Sequence, residues 1–291
     1  MKITTVIENS LGENKELINE HGLSFFIEAE DKNILFDTGK SGEFISNANN
    51  LAIDFKNIDY LVLSHAHYDH CGGVRGLLDK FSIKPELYVG KSFFDNKDKY
   101  HYCSLENASK NQSIDFISSD NEYKYIGIDF DKKYLEDKNI NINFVEDFKK
   151  ICDNVYLFSS FERKYDFETL NPNMLIKKDD HYEIDNFNEE IALVLDTEKG
   201  LIILLGCSHP GILNMITSIN KQIKKPIYAV IGGTHLIEAD EDRIEKTIDE
   251  IKKLNIKLVG ASHCTGEKAV NIFEKNCDGF FKNYTGKELT I

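Results

Sequence analysis

One ten-residue segment constrains this chain more than any other. Residues 64–73 read Ser-His-Ala-His-Tyr-Asp-His-Cys-Gly-Gly and directly follow an apolar run at residues 60–63. In an extended segment, histidines at i and i+2 point to the same side, and a turn after them can direct a carboxylate and a third histidine towards a second ion. Imidazole combined with carboxylate suits zinc, with iron or manganese as alternatives, better than a hard cation bound by oxygen alone. We therefore predict a metal site at a strand end, formed by His65, His67, Asp69 and His70.

Three further histidines follow apolar runs in the second half of the chain, namely His209, His235 and His263. A lone histidine at a strand end is more often a packed or hydrogen-bonded residue than a ligand. In layered α/β proteins, however, ligand sites gather at the carboxyl ends of strands, so the repeated placement predicts that these side chains converge. The remaining histidines lack this context, and we expect His21, His101 and His181 on the surface or in a lid, with only a small chance that His181 reaches the substrate.

The apolar periodicity predicts mixed α/β structure. Strands are predicted at 2–7, 23–28 and 34–36, followed by a helix that Ser41 can cap. Further along, 191–195 and 201–205 form a predicted hairpin, and a helix should start near Pro210. Residues 240–254 carry apolar side chains at helical spacing, with acids first and lysines last, which indicates a helix that covers a sheet.

Residues 91–150 break this pattern, since they are rich in Lys, Asp and Asn. Disordered linkers are usually poor in aromatic residues, whereas this stretch has many. We therefore interpret it as an inserted, folded lid within a single domain of residues 1–291, positioned over the metal edge. The aromatic residues behind this interpretation are Phe93, Phe94, Tyr100, Tyr102, Phe116, Tyr123, Tyr125 and Phe130.

His-x-His-x-Asp-His at 65–70 resembles the signature of the metallo-β-lactamase superfamily. The segments 34–39 (Ile-Leu-Phe-Asp-Thr-Gly), 206–211 (Gly-Cys-Ser-His-Pro-Gly), 232–236 (Gly-Gly-Thr-His-Leu) and 262–266 (Ser-His-Cys-Thr-Gly) extend the match. Together they resemble a branch that includes ribofuranosylaminobenzene phosphate synthases and many metal-dependent hydrolases. The resemblance implies an α/β fold with four layers, αββα, and an inserted lid between the two halves.

The resemblance also implies two metal sites. Site one would take His65, His67 and a third histidine, and site two would take Asp69, His70 and His263. Many relatives place a bridging aspartate after a glycine at the end of the hairpin, but here Gly206 is followed by a cysteine. We choose His209 for the missing ligand. Weaker candidates are Cys207 and Glu190, and His235 is either a ligand or a hydrogen-bond donor to the substrate.

Two divalent ions, zinc by preference, would activate water against a small ester, phosphoester or related substrate. Asp69 would orient or deprotonate that water, and His235 would stabilise an oxyanion. Two alternatives stay open: a synthase that transfers a phosphoribosyl group to an aromatic acid, and a non-catalytic metal or ligand sensor. Free N–H groups at a helix start near Thr265 could hold a phosphate or carboxylate of an anionic substrate, although an ordinary helix start is equally consistent.

The charge balance narrows the partners further. The sequence has 35 basic and 49 acidic residues, a net charge of −14 that disfavours nucleic acids and anionic membranes, so we expect a small-molecule substrate. No apolar stretch approaches the roughly 18 residues of a membrane span, and the N terminus lacks a signal-peptide core. The six scattered cysteines form no disulfide-like pattern, so we expect a cytoplasmic protein with free thiols. The sequence does not determine the oligomeric state.

Overall fold

A computed structural model of the chain describes residues 1–95, 97–103 and 122–291. The strands are β1 (Lys2–Ile7), β2 (Ser24–Ala29), β3 (Lys32–Phe36), β4 (Tyr60–Val62), β5 (Glu86–Gly90), β6 (Lys99–Tyr102), β7 (Tyr123–Tyr125), β8 (Ile142–Val145), β9 (Phe148–Cys152), β10 (Val155–Phe158), β11 (Met174–Lys178), β12 (His181–Ile184), β13 (Ala192–Thr197), β14 (Gly200–Leu205), β15 (Ile227–Gly233), β16 (Leu258–Ser262) and β17 (Glu288–Thr290). The α-helices are α1 (Glu43–Asn50), α2 (Tyr68–Cys71), α3 (Val74–Lys80), α4 (Lys132–Asp137), α5 (Ile212–Ile223), α6 (Glu241–Lys253) and α7 (Glu267–Asn276), with 3-10 turns at Phe55–Asn57 and His263–Thr265.

Two large sheets face each other across the central core. One has seven strands in the order β17-β1-β2-β3-β4-β5-β8, and the other has six in the order β16-β15-β14-β13-β10-β9. Alternate apolar side chains from both sheets meet between them, among them Phe25, Phe36, Leu193 and Leu204, all fully buried. Strands β3, β4 and β5 run parallel, as do β14, β15 and β16, so both sheets direct carboxyl strand ends towards one edge.

Helices cover the outer face of each sheet and complete the four layers. Helices α1, α3 and α4 pack in an apolar cluster with the first sheet, and α5, α6 and α7 do so with the second. In α6 the predicted apolar stripe is buried at Ile244, Ile248 and Ile251, and the Asp240 side chain caps the helix by accepting from Arg243 N. The predicted αββα arrangement is therefore confirmed.

A third sheet of four strands, in the order β12-β11-β6-β7, combines part of the predicted insertion with residues 174–184. Ile126 lies beside it, and its carbonyl accepts from Tyr68 N at 3.0 Å, so this sheet contacts the metal-motif loop. The end of the segment 91–150 belongs elsewhere, since β8 pairs with β5 in the first sheet and β9 with β10 in the second. The carboxyl end of the range 91–150 thus belongs to the main sheets, and a lid formed by the rest of it stays a prediction. Phe116 lies outside the described residues.

Buried charges fasten the third sheet to the main fold. Lys99 on β6 is fully buried and forms ion pairs with Asp185 and Glu189, the latter at 2.7 Å. Asp185 also accepts from Phe187 N at 2.8 Å, which fixes a turn with Phe187 at a φ of 49°. The Lys99 ammonium lies 4.5 Å from the Phe187 ring centroid. A residue of the insertion therefore positions an aromatic side chain that reaches the candidate site.

Two predicted helix starts are displaced by one or two residues. Ser41 is not the N-cap of α1, because Gly42 occupies that position, although the Ser41 hydroxyl accepts from Glu43 N at 3.2 Å. The helix expected near Pro210 begins at Ile212 after Gly211, and the carboxylate of Glu168 accepts from Leu213 N and Asn214 N, both at 2.8 Å. A distant acid thus caps this helix, which no local pattern can indicate. No helix in the described ranges is long and apolar enough to cross a membrane.

Candidate metal centre

Three imidazoles converge at the carboxyl edge of the two sheets. The ring centroids of His65 and His67 are 4.5 Å apart, and each lies 4.9 Å from the ring of His209. Their coordinating atoms all lie within 4.8 Å of one another. The Nε2 atoms of all three are buried and have no hydrogen-bond partner among the described residues. Buried polar nitrogens without partners are costly, so three that face each other indicate a missing ligand.

A second group lies directly beside the first. It consists of Asp69, His70 and His263, whose coordinating atoms also lie within 4.8 Å of one another. Asp69 Oδ2 is 3.3 Å from His263 Nε2 and 3.8 Å from His70 Nε2, and the two Nε2 atoms are 3.1 Å apart. The second group consists of the residues that the resemblance assigned to site two, and their role as ligands stays a prediction.

Asp37 orients the histidines of both groups. Its Oδ2 lies 2.7 Å from His70 Nδ1 and accepts from the Ser64 hydroxyl at 2.7 Å, while its Oδ1 accepts from Ser64 N. Because the Ser64 hydroxyl donates to Asp37, it accepts from His65 Nδ1 at 2.9 Å. Both imidazoles therefore carry a proton on Nδ1 and direct Nε2 into the site, which is the orientation that metal-binding histidines require.

Asn9 orients two further imidazoles, those of His263 and His21. Its Oδ1 accepts from Gly22 N at 3.1 Å, and since a backbone N–H only donates, this contact fixes the orientation of the amide. The same oxygen lies 2.9 Å from His263 Nδ1, which must carry the proton, and the Asn9 amide nitrogen donates to His21 Nδ1 at 3.3 Å. His21 then holds its proton on Nε2 and donates to Asp69 Oδ2 at 3.2 Å.

The expectation for His21 was therefore wrong. Its side chain is only 17% exposed, and its ring centroid lies 5.1 Å from that of His263, inside the candidate site. His101 on β6 is buried near Glu238, so it is not on the surface. His181 is exposed between Asp180 and Glu183. Sequence reasoning missed His21 because no apolar strand precedes it. The contacts of its ring nitrogens with Asn9 and Asp69 form only in the folded chain.

Cys207 occupies the middle of the cluster. Its Sγ lies 3.1 Å from His70 Nε2 and groups with the coordinating atoms of His65 and His70, as well as with those of His263 and Cys264. Glu190, the other candidate for the bridge, accepts from Ser208 N at 2.6 Å and from His209 N at 2.9 Å. Its carboxylate thus holds the loop in place. All six cysteines are within the described residues, and all are free thiols.

Protonation in the cluster follows from burial and neighbouring charge. Burial keeps the pKa of His65, His67 and His209 well below the usual range, so these imidazoles are neutral. Burial acts in the same direction on His70, but the carboxylates of Asp37 and Asp69 outweigh it and raise the pKa of His70 to about 9. The uncharged histidines of the first group are the form that binds a metal ion.

His235 lines the two cavities that lie beside the cluster. It has a φ of 48°, and its ring centroid lies 4.2 Å from that of His209. A small cavity of about 50 Å³ touches His67, Asp69 and Cys207, and a larger one of about 310 Å³ lies further out. His209, His235 and Glu238 line both. The Phe187 ring stacks on His209 at 3.8 Å and 7°, which fixes that imidazole from behind.

The donor set fits divalent metal ions. Five histidine nitrogens, a carboxylate and a thiol match the ligands of zinc and related transition metals. The unpartnered Nε2 atoms of His65, His67 and His209 are the observation that an ion would explain. Asp37 and Asn9 supply the outer hydrogen bonds that such ligands need. Divalent metal binding is therefore consistent with the chemistry of these residues.

Comparison with known proteins shows which family this chain resembles. Residues 18–137 match the family model described as the metallo-beta-lactamase superfamily. The chain is similar to 7,8-dihydropterin-6-methyl-4-(beta-D-ribofuranosyl)-aminobenzene-5'-phosphate synthase of Methanocaldococcus jannaschii. The two are 35% identical over an alignment of 303 positions, which covers 99% of this chain and 95% of that protein.

Solved structures agree on the architecture. The crystal structure of Tm1679, a metal-dependent hydrolase of the beta-lactamase superfamily, is 29% identical and superposes with a TM-score of 0.81, covering 100% of this chain and 99% of that one. Zinc-bound PqqB from Methylobacterium extorquens shares the fold at 11% identity and a TM-score of 0.57, with complete coverage of both chains. With a full-length relative above 30% identity and the matching family model, this chain belongs to the metallo-beta-lactamase superfamily.

Proposed function

We propose that this protein is a metal-dependent hydrolase that uses two divalent ions, zinc by preference, against a small ester, phosphoester or related substrate. The observation that carries this proposal is the set of three buried Nε2 atoms without partners, beside the group of Asp69, His70 and His263. A site with one such group would support a structural ion. Two adjacent groups with a cavity that reaches them support chemistry.

The proposed ligands follow from the contacts. Site one takes His65, His67 and His209, and site two takes Asp69, His70 and His263. His209 would thus be the third histidine of site one, and the position of Cys207 between the groups supports its thiolate as a further ligand. Burial and the neighbouring Cys264 raise the pKa of Cys207 well above its usual range, so deprotonation must accompany metal binding.

The ions would supply a Lewis acid and lower the pKa of water. Asp69 is buried, yet the charge of His70 and a hydrogen bond from His21 keep its pKa well below the usual range. Its carboxylate therefore stays ionised and can orient water by accepting a hydrogen bond. His235 lines both cavities, where a neutral imidazole can donate a hydrogen bond to a developing oxyanion.

Metal analysis combined with Asp69→Ala tests this proposal. The wild-type protein should bind two ions per chain and hydrolyse a member of a panel of phosphodiesters, lactones, thioesters and β-lactams. Asp69→Ala should lose the second ion and turnover while it keeps its circular dichroism spectrum. Asp249→Asn, an exposed change on α6, serves as the control. Full turnover by a folded Asp69→Ala protein with one ion would exclude the two-metal mechanism.

A second candidate is a synthase that joins a phosphoribosyl donor to an aromatic acid. What supports a synthase is the 35% identical relative, whose name is that of a synthase with a ribofuranosyl-aminobenzene phosphate in its product. In that reaction the bond between C1 of the ribose and the pyrophosphate oxygen breaks, and a bond from C1 to the acceptor forms as the acceptor loses a proton or carbon dioxide. Pyrophosphate release that requires both reactants together indicates the synthase. Turnover of a single substrate with water indicates the hydrolase.

A further inference from the structure

A single guanidinium faces the larger cavity outside the candidate metal centre. Arg243 lies in the first turn of α6 and lines the 310 Å³ cavity together with His209 and His235. Its Nη1 donates to Thr169 O at 3.3 Å. Its Nε is buried and has no hydrogen-bond acceptor within the described ranges. A guanidinium has five N–H donors in a planar fork, so most of the hydrogen-bonding capacity of Arg243 is unused.

Among the residues that the structure describes, the acidic ones near Arg243 do not accept hydrogen bonds from its remaining N–H donors. Glu168 and Asp240 act on it at a distance, but no ion pair joins either of them to Arg243 in the part of the chain described. Glu168 already accepts from two backbone N–H groups of α5, and Asp240 accepts from Arg243 N as the cap of α6. Glu238 also lines the cavity, and it is held by the Asn171 side-chain amide and lies 3.8 Å from His101 Nε2. The carboxylates around Arg243 are thus engaged elsewhere.

The position of the cavity connects this guanidinium to the chemistry. His209, His235 and Glu238 form a wall common to the outer cavity and to the small cavity at Asp69 and Cys207. A molecule that extends from the outer cavity into the small one would have one end at Arg243 and the other at the metal cluster. In a chain with a net charge of −14, the cation of Arg243 at the outer cavity favours a negative group at that end.

From this arrangement we propose that Arg243 is a specificity residue that binds an oxyanion of the substrate, a phosphate or a carboxylate, in the outer cavity. The inference rests on the proposed function only for the identity of the reacting end. The planar fork suits bidentate binding of either anion, and a hydrogen-bonded charge pair of this kind is roughly twice as strong as a neutral hydrogen bond. The proposed substrate is therefore an anionic small molecule whose oxyanion lies apart from the bond that is broken.

Titration of the metal-loaded protein with inorganic phosphate and with acetate tests this inference. Calorimetry gives the affinity, and the ¹⁵N resonance of the Arg243 side chain reports contact directly. We expect that resonance to shift on titration and Arg243→Gln to weaken binding of the preferred anion about tenfold or more, with Arg243→Lys intermediate. Tighter binding of phosphate points to a phosphorylated substrate, and tighter binding of acetate points to a carboxylate.

The matched control is Lys246→Gln, which removes the same charge from the same helix. Lys246 is half exposed, pairs with Asp242 and does not line the cavity, so anion affinity should stay within about twofold. Unchanged affinity in Arg243→Gln, or an Arg243 resonance that does not move, overturns the inference and assigns the anion to the metal ions alone. If Arg243→Gln unfolds, Arg243→Lys and the resonance decide. Failure of the metal analysis with Asp69→Ala would remove the hydrolase proposal without altering these results.

Discussion

The buried ion-pair group of Lys99, Asp185 and Glu189 allows a quantitative prediction about how the third sheet is held. All three side chains are at most 1% exposed, so Lys99→Met would leave two carboxyl groups without a cation in the interior. Removal of one partner from a buried pair costs about 3–5 kcal/mol, which is a large part of the about 5–15 kcal/mol that stabilises a typical protein. Burial already raises the pKa of Glu189, and Lys99 opposes that effect.

Urea unfolding of the metal-loaded protein measures this change. We expect the free energy of unfolding to fall by about 3–5 kcal/mol in Lys99→Met and by less when Glu189→Gln is added, because the second change removes one uncompensated acid. Lys97→Met is the control, since its side chain is 37% exposed and pairs with the exposed Asp98, and it should change stability by about 0.5 kcal/mol or less. A loss below about 1 kcal/mol in Lys99→Met would refute the assignment of this group as the anchor.

Three further outcomes can be measured. Asn9→Ala should weaken metal affinity about 10- to 100-fold without unfolding the protein, since His263 and His21 lose their common partner, and unchanged affinity by competition with a chelator would contradict this. Cys207→Ser should remove the thiolate-to-metal absorption band of the cobalt-substituted protein, whereas Cys277→Ser should keep it; a retained band would exclude Cys207 as a ligand. Burial raises the pKa of Glu168 to about 7 from 4.5, so the folded state holds the proton more tightly and its stability should decrease, by about 3 kcal/mol, as pH rises from 4.5 through 7. Glu168→Gln should flatten that part of the pH profile, and an identical profile would show that this carboxyl group does not titrate as described.

Apart from His21, the histidines of the cluster were predictable because they follow apolar strands. His65, His209 and His263 needed only the rule that ligands gather at carboxyl strand ends, and their rings do meet there. The strand and helix positions followed from periodicity for the same reason, since burial on one face leaves a repeating pattern. Whether these residues bind metal remains a prediction from the chemistry of the donors.

The supporting residues were not predictable, because their partners are far away in the sequence. Asn9 and His263 are 254 positions apart, and Asp37 and His70 are 33 apart. Nothing near Asn9 indicates that its amide holds two imidazoles. The aromatic content of 91–150 suggested one lid, yet Phe93, Phe94 and Phe130 pack in the core beneath the first sheet. Composition indicates that a segment is folded but does not indicate against which surface it packs.

The hydrogen bond between His263 N and the carboxylate of Glu8, at 2.7 Å, joins residues 255 positions apart. It lies next to the pairing of β1 with β17, so the first and last strands of the chain are neighbours in one sheet. During synthesis, the first half leaves the ribosome with His65, His67, Asp69 and His70 long before His209 and His263 follow. Such a chain can hold ions only weakly until its last strands have been added. Tight retention of metal would therefore report that the segment from His209 to β17 has been added to the fold.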